Sequence, residues 1–454
     1  MKVTIIGAAG VRTPGIIESF IRRQTKIGCD ELCLMDIDGE RLSLIASLTR
    51  KLEESIDTKF VITRTTDSIE ALKNADFVIT TFRVGGIDSR VIDEQVPLEN
   101  GILGQETTGP GGFAMALRTI PVLLNYVQQM RDLCPDAWLL NFANPSGMLA
   151  ESILRVAGWE RAVGICDGPS SMRHAAAKML GADANEVYLD YFGLNHLGWV
   201  RKILYNGMDV LPQFLTQMEN GIIPEELPFT LHLLRSIKMI PNEYNYYFYS
   251  AKKSVNMILR SENSRGEQIA SLNHEFFNDL RKIHDNEEAL AKRYQTYQLE
   301  RWKTYMKAET GTVIQELDAS PEEIKKMAEE GYAGVALDLI EGLRGNSSQI
   351  LILNTLNNGA IEGMPADASV EIPVYVTSGL LRPMNVGPVP DENLGLMKIV
   401  KCYEQLTIDA AVTGSYEKAL HALTIHPLVA DEELAEKILN GYIRAHGENF
   451  PKLS

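Results

Sequence analysis

At 454 residues the chain is too long for one small core, so two packed lobes are expected. Its 45% hydrophobic and 23% charged content is that of an ordinary globular protein, and no apolar run approaches the roughly 20 residues that span a bilayer. A net charge of −16 without a basic stripe argues against nucleic acid or an anionic membrane as partner, so an anionic ligand would need a local cluster of arginines.

The opening MKVTIIGAAG reads as a strand entering a glycine turn, not as a secretory signal. Five cysteines, Cys29, Cys33, Cys134, Cys166 and Cys402, form an odd, unpatterned set. Reduced thiols in a cytoplasmic protein are the expectation. Residues 2–7 are a short apolar run, followed by the glycine turn and a helix over 14–24. Runs at 31–36, 60–63, 76–81, 138–141 and 162–165 continue the series, with helical patterns such as 115–133 between them. This alternation predicts a Rossmann-like, doubly wound parallel sheet with its chemistry at the strand C-termini.

From about residue 187 the pattern changes. Strands are expected over 186–192 and 197–205, the second ending in an Asn206-Gly207 turn. Helices follow over 266–283, 287–306, 321–330 and 335–344, then a strand over 371–378 and helices from 394 onward. The expected division is an α/β dinucleotide-binding domain over 1–185 and a mixed, mainly helical domain over 186–454 for substrate, metal and oligomer contacts. The site is expected in the cleft between them.

Gly7-Ala8-Ala9-Gly10 closes a strand and opens a helix, where small residues let backbone approach a pyrophosphate. Asp36 ends the next strand at the distance expected of a ribose ligand, which favours NAD over NADP. Ala9 and Arg12 stand where G-x-G-x-x-G has its later glycines, so the turn alone fits an empty strand-to-helix connection equally well. Strand, helix and Asp36 together tip it to NAD.

Cys166, at a strand end in ICDGP, and His196 in GLNHLGW are a plausible pair of metal ligands whose open shell substrate or water would complete. A buried thiol and a hydrogen-bonded core histidine fit that spacing better on its own. The loop 101–112 (GILGQETTGPGG) has five glycines around Glu106 and reads either as a rigid mount for a carboxylate or as a long turn. Asn144 in NPSG is a helix-capping turn residue or a ligand amide. PNEYNYYFY over 241–249 has four tyrosines, mostly an aromatic core patch, of which one phenol could serve as a base. Arg83, Arg90, Arg260 and Arg265 are scattered, and would clamp a phosphate only if folding gathers them.

In order, VRTPG, RVGGIDSRVIDEQVPLENGILGQETTGPGG, NFANPSG, CDGP, GLNHLGW and PNEY resemble glycoside hydrolase family 4 along essentially the whole chain. The texture is most like its 6-phospho-β-glucosidases, and the dinucleotide domain resembles that of lactate and malate dehydrogenases. The resemblance implies NAD as a catalytic cofactor and Cys166 and His196 as ligands of a divalent ion, typically Mn²⁺. It makes Asp167 the proton donor to the leaving oxygen, Tyr244 the base and Glu106 the group that raises its basicity. Asn144, Arg90 and Arg265 contact the phosphorylated sugar, and Arg12 joins the phosphate site. The implied reaction oxidises C3 of the sugar, removes the C2 proton and eliminates the aglycone, an exception to the two-carboxylate scheme. A phosphorylated disaccharide or glycoside is the implied substrate, and a homodimer or homotetramer the implied assembly. CDGP leaves the anomer open, because β-specific relatives often carry Asn after the cysteine and 6-phospho-α-glucosidases Asp followed by Met. Competing readings are a 6-phospho-α-glucosidase, a malate- or lactate-type dehydrogenase without a Cys–His metal pair, and a non-catalytic NAD sensor.

Overall fold

The computed structural model describes residues 1–56, 58–219, 228–311 and 331–454. The expected helix over 321–330 lies outside the described residues. Six strands come from the first third: β1 Lys2–Ile6, β2 Glu31–Met35, β3 Val61–Thr65, β4 Phe77–Thr80, β5 Trp138–Asn141 and β6 Ala162–Gly164. All of their mutual pairings are parallel. Helices Thr13–Ile27 and Pro110–Leu133 follow β1 and precede β5. This is the doubly wound arrangement that alternating strand and helix predict. β1, β4 and β6 are buried nearly end to end, which is why they read as continuous apolar runs. β3 sits at the sheet edge with its side chains half exposed, so its apolar pattern blurred the start by one residue.

A second, antiparallel sheet holds β7 Tyr188–Leu194, β8 Leu197–Tyr205, β9 Met208–Asp209 and β10 Ile240–Pro241. Asn206 and Gly207, with φ of 51° and 75°, make the left-handed turn that the Asn-Gly pair foretold. β11 Gln349–Leu356, β12 Ser369–Thr377 and β13 Leu380–Pro383 do something composition did not suggest. They extend the first sheet antiparallel from β6, giving the order β13-β12-β11-β6-β5-β4-β1-β2-β3. β7 in turn packs against β12. The second sheet is thereby mounted on the extension of the first, beside the C-terminal end of β6.

The helix expected over 115–133 begins five residues earlier, at Pro110. Proline suits a first helical turn because its missing N–H has no partner there anyway. The two glycines after it are steric necessities and not loop flexibility. A Cβ on Gly111 would stand 2.0 Å from the carbonyl oxygen of Gln105, and one on Gly112 2.2 Å from that of Thr107. The helix start thus serves as a floor for the segment carrying Glu106. Gly111→Ala is expected to destabilise the protein by about 1–3 kcal/mol, the range for overpacking, and to displace that segment. Urea denaturation checks it; a wild-type midpoint would contradict the close approach.

Candidate active site

The cofactor end of the site is built at the C-terminal edge of β1 and β2. Gly7, at φ 94°, lies so close to β4 that a Cβ would meet the backbone nitrogen of Phe82 at 2.5 Å. The Gly7 and Ala8 N–H groups both donate to the Met35 carbonyl, at 2.9 and 3.0 Å. Asp36 accepts from the Ala9 N–H at 2.8 Å and the Asp38 N–H at 3.0 Å, so its carboxylate is oriented by the turn it serves. Gly10 is less constrained, with nothing nearer to a Cβ than 3.7 Å. The turn, the following helix N-terminus and the acid fit a dinucleotide pyrophosphate and ribose.

Cys166 follows β6, and Asp167, half-buried, takes the N-cap position of helix Gly168–Leu180. His196 occupies the tip of the two-residue turn between β7 and β8, where Leu194 pairs with Leu197. Its φ of 63° is left-handed, an uncommon conformation for a residue with a Cβ. These two elements bring Cys166 Sγ within 3.5 Å of His196 Nε2, both side chains buried. Burial lowers the His196 pKa to about 4, which leaves a neutral imidazole with a free lone pair. Burial, then Glu371 and Asp167, pushes the Cys166 thiol well up, so without a cation it keeps its proton. A divalent cation would take the place of that proton. Among the described residues no group of three or more His, Cys, Asp or Glu is placed to hold a metal. This pair would therefore be the protein's share of an open shell, as a catalytic ion requires.

Tyr244 lies in the short turn Glu243–Asn245, its N–H accepted by Asn242 Oδ1 at 3.0 Å. Its ring stacks on His196, with centroids 3.9 Å apart and planes at 12°. Of the other three tyrosines of the cluster, Tyr247 is buried with its ring 6.1 Å from that of Tyr244, Tyr246 is buried, and the Tyr249 hydroxyl accepts from Trp199 Nε1 at 3.0 Å. Of the four, Tyr244 is the one laid against His196. Asn144 is half-buried in a cis Asn144-Pro145 turn. That turn is tied to the histidine hairpin, because the Gly147 N–H donates to Asn195 Oδ1 at 3.2 Å.

The arginines gather as well. Arg90 donates from Nε to Glu94 at 2.8 Å, and its Nη1 lies 3.0 Å from Glu106 Oε1. Arg83 pairs with the other Glu106 oxygen. Burial alone would raise the Glu106 pKa, but Arg90, Arg83 and Arg301 hold it far below the usual range, so it is ionised. Arg265 is buried, donating to the Arg301 carbonyl at 2.9 Å and to the Thr304 hydroxyl. Arg301 donates to Tyr297 at 3.2 Å. Among the described residues neither Arg265 nor Arg301 pairs with a carboxylate. Burial, Arg90 and Arg301 lower the Arg265 pKa to about 10. Crowded cations of this kind are what a bound anion would relieve. Arg12 is exposed at the N-terminus of helix Thr13–Ile27, close enough for Arg301 to feel its charge, while Arg260 is exposed at the end of helix Ala251–Arg260. Arg301 and Glu94 were not singled out from sequence. Glu94 lies one helical turn after Arg90 inside the RVGGIDSRVIDEQV motif, a signal that could have found it, whereas Arg301 is brought in by the distant helix Glu287–Lys303.

Glu309 faces the same cluster with one buried oxygen unpartnered. Burial and then Glu94 push its pKa up from 4.5 to about 7. A carboxyl raised on folding favours the folded state below its unfolded value and loses that contribution as pH rises through the folded one. Glu309→Gln should therefore raise the thermal midpoint at pH 8 and leave it unchanged near pH 4.5. Melts in a phosphate-free buffer test this; equal midpoints at both values would contradict the placement of Glu309.

Comparison with known proteins agrees with this geometry. Residues 2–182 match the model of family 4 glycosyl hydrolase, and residues 191–429 match that of the family 4 glycosyl hydrolase C-terminal domain. A probable 6-phospho-β-glucosidase of Bacillus subtilis (strain 168) is 32% identical over 463 residues, covering 100% of this chain and 98% of that protein. The 6-phospho-β-glucosidase of Thermotoga maritima, solved with manganese, NAD⁺ and glucose-6-phosphate, superposes with a TM-score of 0.84 at 30% identity, covering 100% of both chains. A 6-phospho-α-glucosidase from gut microorganisms, solved with NAD and Mn²⁺, gives 0.81 at 26% identity, covering 100% of this chain and 99% of that one. With both parts of the family model matched in order along the chain, it belongs to family 4 of the glycosyl hydrolases.

Proposed function

We propose that the enzyme hydrolyses 6-phosphorylated β-glucosides with NAD⁺ and a divalent ion, Mn²⁺ by analogy with its relatives. The observation that carries the reading is the stack of Tyr244 on His196, whose Nε2 faces Cys166 Sγ at 3.5 Å. That places a candidate base against a candidate metal pair, a combination that a two-carboxylate glycosidase does not need. When bound, NAD⁺ would supply a hydride acceptor for C3 of the sugar and the cation would supply the Lewis acidity that makes the C2 proton removable.

The remaining work falls to this chain's own groups. Gly7, Gly10 and Asp36 hold the dinucleotide, and Cys166 and His196 hold the ion. Tyr244, as the phenolate, receives the C2 proton and becomes the neutral phenol. Asp167, at the mouth of its helix, passes a proton to the leaving oxygen. Arg265 and Arg301, with Arg90 behind them, face the 6-phosphate, and Asn144 contacts the sugar. Glu106, shared between Arg83 and Arg90, keeps negative charge near His196, on which Tyr244 stacks, and by the family resemblance supports the basicity of Tyr244. Since the hydride returns at the end of each turnover, no net NADH is made, which separates this activity from that of a dehydrogenase. The 6-phospho-α-glucosidase reading is favoured by one feature, Asp167 directly after Cys166. A cytoplasmic homodimer or homotetramer is proposed, with a phosphorylated disaccharide as the natural substrate and neither nucleic acid nor membrane as partner.

Purified protein with NAD⁺, Mn²⁺ and a reductant should release p-nitrophenol from p-nitrophenyl β-glucoside 6-phosphate, without accumulating NADH. The α-anomer should react more slowly and the unphosphorylated glycoside hardly at all. Stoichiometric NADH would overturn the reaction class, and preference for the unphosphorylated glycoside would overturn the substrate class.

A further inference from the structure

Behind the Cys166–His196 pair lies a carboxylate that no step of the reaction uses. Glu371 is the one acid in β12, fully buried in an otherwise apolar and hydroxylated strand. No cation pairs with it among the described residues. It is satisfied by three donors from three different elements: Tyr191 Oη of β7 at 2.7 Å, Asn354 Nδ2 of β11 at 3.0 Å and Asn195 Nδ2 of the histidine hairpin at 3.1 Å. A buried acid of this kind, if only partly satisfied, would be costly, so its complete donor set ties those elements into one arrangement.

Each donor leads on to a group of the proposed site. Asn195 directly precedes His196, and its Oδ1 receives the Gly147 N–H just past the Asn144-Pro145 turn. Asn354 pairs in register with Glu371 on one side and with Gly164 on the other, two residues before Cys166. Tyr191 stands at a β-bulge, where the register between β7 and β8 shifts. Such a bulge re-aims a side chain, and here the hydroxyl reaches Glu371. Its oxygen also accepts a hydrogen bond from the side chain of Asn242. Asn242, itself buried, fixes the Tyr244 backbone N–H through its Oδ1. One carboxylate therefore sits at the branch point of three hydrogen-bonded arms. They end on the His196 turn together with the Asn144 turn, on the strand that presents Cys166, and on the turn that presents Tyr244.

We propose that Glu371 is a positioning residue that sets the relative placement of the metal pair and the Tyr244 base, through Asn195 and Asn354 on one side and through Tyr191 and Asn242 on the other. The inference rests on the reading of Cys166 and His196 as metal ligands. It makes separable demands on the arms. Glu371→Gln replaces one acceptor oxygen by an NH₂ that faces existing donors, so both sides should suffer. Tyr191→Phe removes only the link towards Asn242 and Tyr244. Asn195→Leu removes the link to the histidine turn, together with the Gly147 contact beside the Asn144 turn.

The test is Mn²⁺ affinity, measured by electron paramagnetic resonance of the free ion, alongside NAD⁺ affinity, kcat and the thermal midpoint of each folded variant. Glu371→Gln should weaken Mn²⁺ binding about 10–100-fold, as outer-shell changes do, and lower kcat at saturating Mn²⁺, with NAD⁺ affinity unchanged. Tyr191→Phe should lower kcat about tenfold with Mn²⁺ affinity intact. Asn195→Leu should weaken Mn²⁺ binding, and it replaces Glu371→Gln as the metal-side readout if that variant does not fold. Lower midpoints with wild-type Mn²⁺ affinity and kcat would overturn the inference, leaving Glu371 a purely structural group. Cys166→Ser serves as the control: if it too binds Mn²⁺ like the wild type, the metal reading itself is overturned, and this inference with it.

Discussion

A thiol at the end of a parallel strand and an imidazole at the tip of an antiparallel hairpin lie 3.5 Å apart, and the site is arranged around that contact. Ligands of doubly wound sheets bind beyond the strand C-termini because the loops there diverge and leave a crevice. Here the crevice is closed from one side by a second sheet. β7 rests on β12, and β12 belongs to the antiparallel extension of the first sheet. The histidine therefore reaches the cysteine through packed strands and not through a loop. That rigidity is what a site made of small convergent groups requires, since misplacement by about 1 Å costs rate steeply.

Charge separates two kinds of arginine in the same core. Arg118 spends both Nη groups on the Asp93 carboxylate, at 2.7 Å each, with His446 closing the third side. That ion pair is fully buried and fully answered, as a structural pair must be. Arg265 and Arg301 are placed differently. They are answered by hydroxyls and a carbonyl, and their neighbours include each other and Arg90. An overall acidic chain thus keeps a small interior region of excess positive charge, where an anionic group would complete the balance.

Local signals were legible in the sequence and distant ones were not. The parallel strands of the first third could be read to within a residue or two because each is short, apolar and bounded by turn residues. Cys166, His196, Glu106 and Tyr244 stand in motifs that are ambiguous one by one, and only their ordered set along the chain singles them out, since spacing alone would have left the first two as core residues. The helix beginning at Pro110 was hidden because its glycines look like a loop until the approach of Gln105 and Thr107 is seen. Membership of β11–β13 in the first sheet depends on pairing between residues some 190 positions apart, such as Gly164 with Asn354, which periodicity does not encode. Glu371 did leave a trace, a single acid inside the buried strand SVEIPVYVT. Burial makes such a residue informative, and burial is what a sequence withholds.

Elimination requires a proton to leave C2 of the sugar beside Tyr244, whereas no direct displacement at C1 requires that bond to break. Hydrolysis of a 6-phospho-β-glucoside in D₂O, followed by NMR of the released glucose 6-phosphate, reads it directly. Deuterium at C2 is the predicted result. Product carrying only protium at C2 would contradict it.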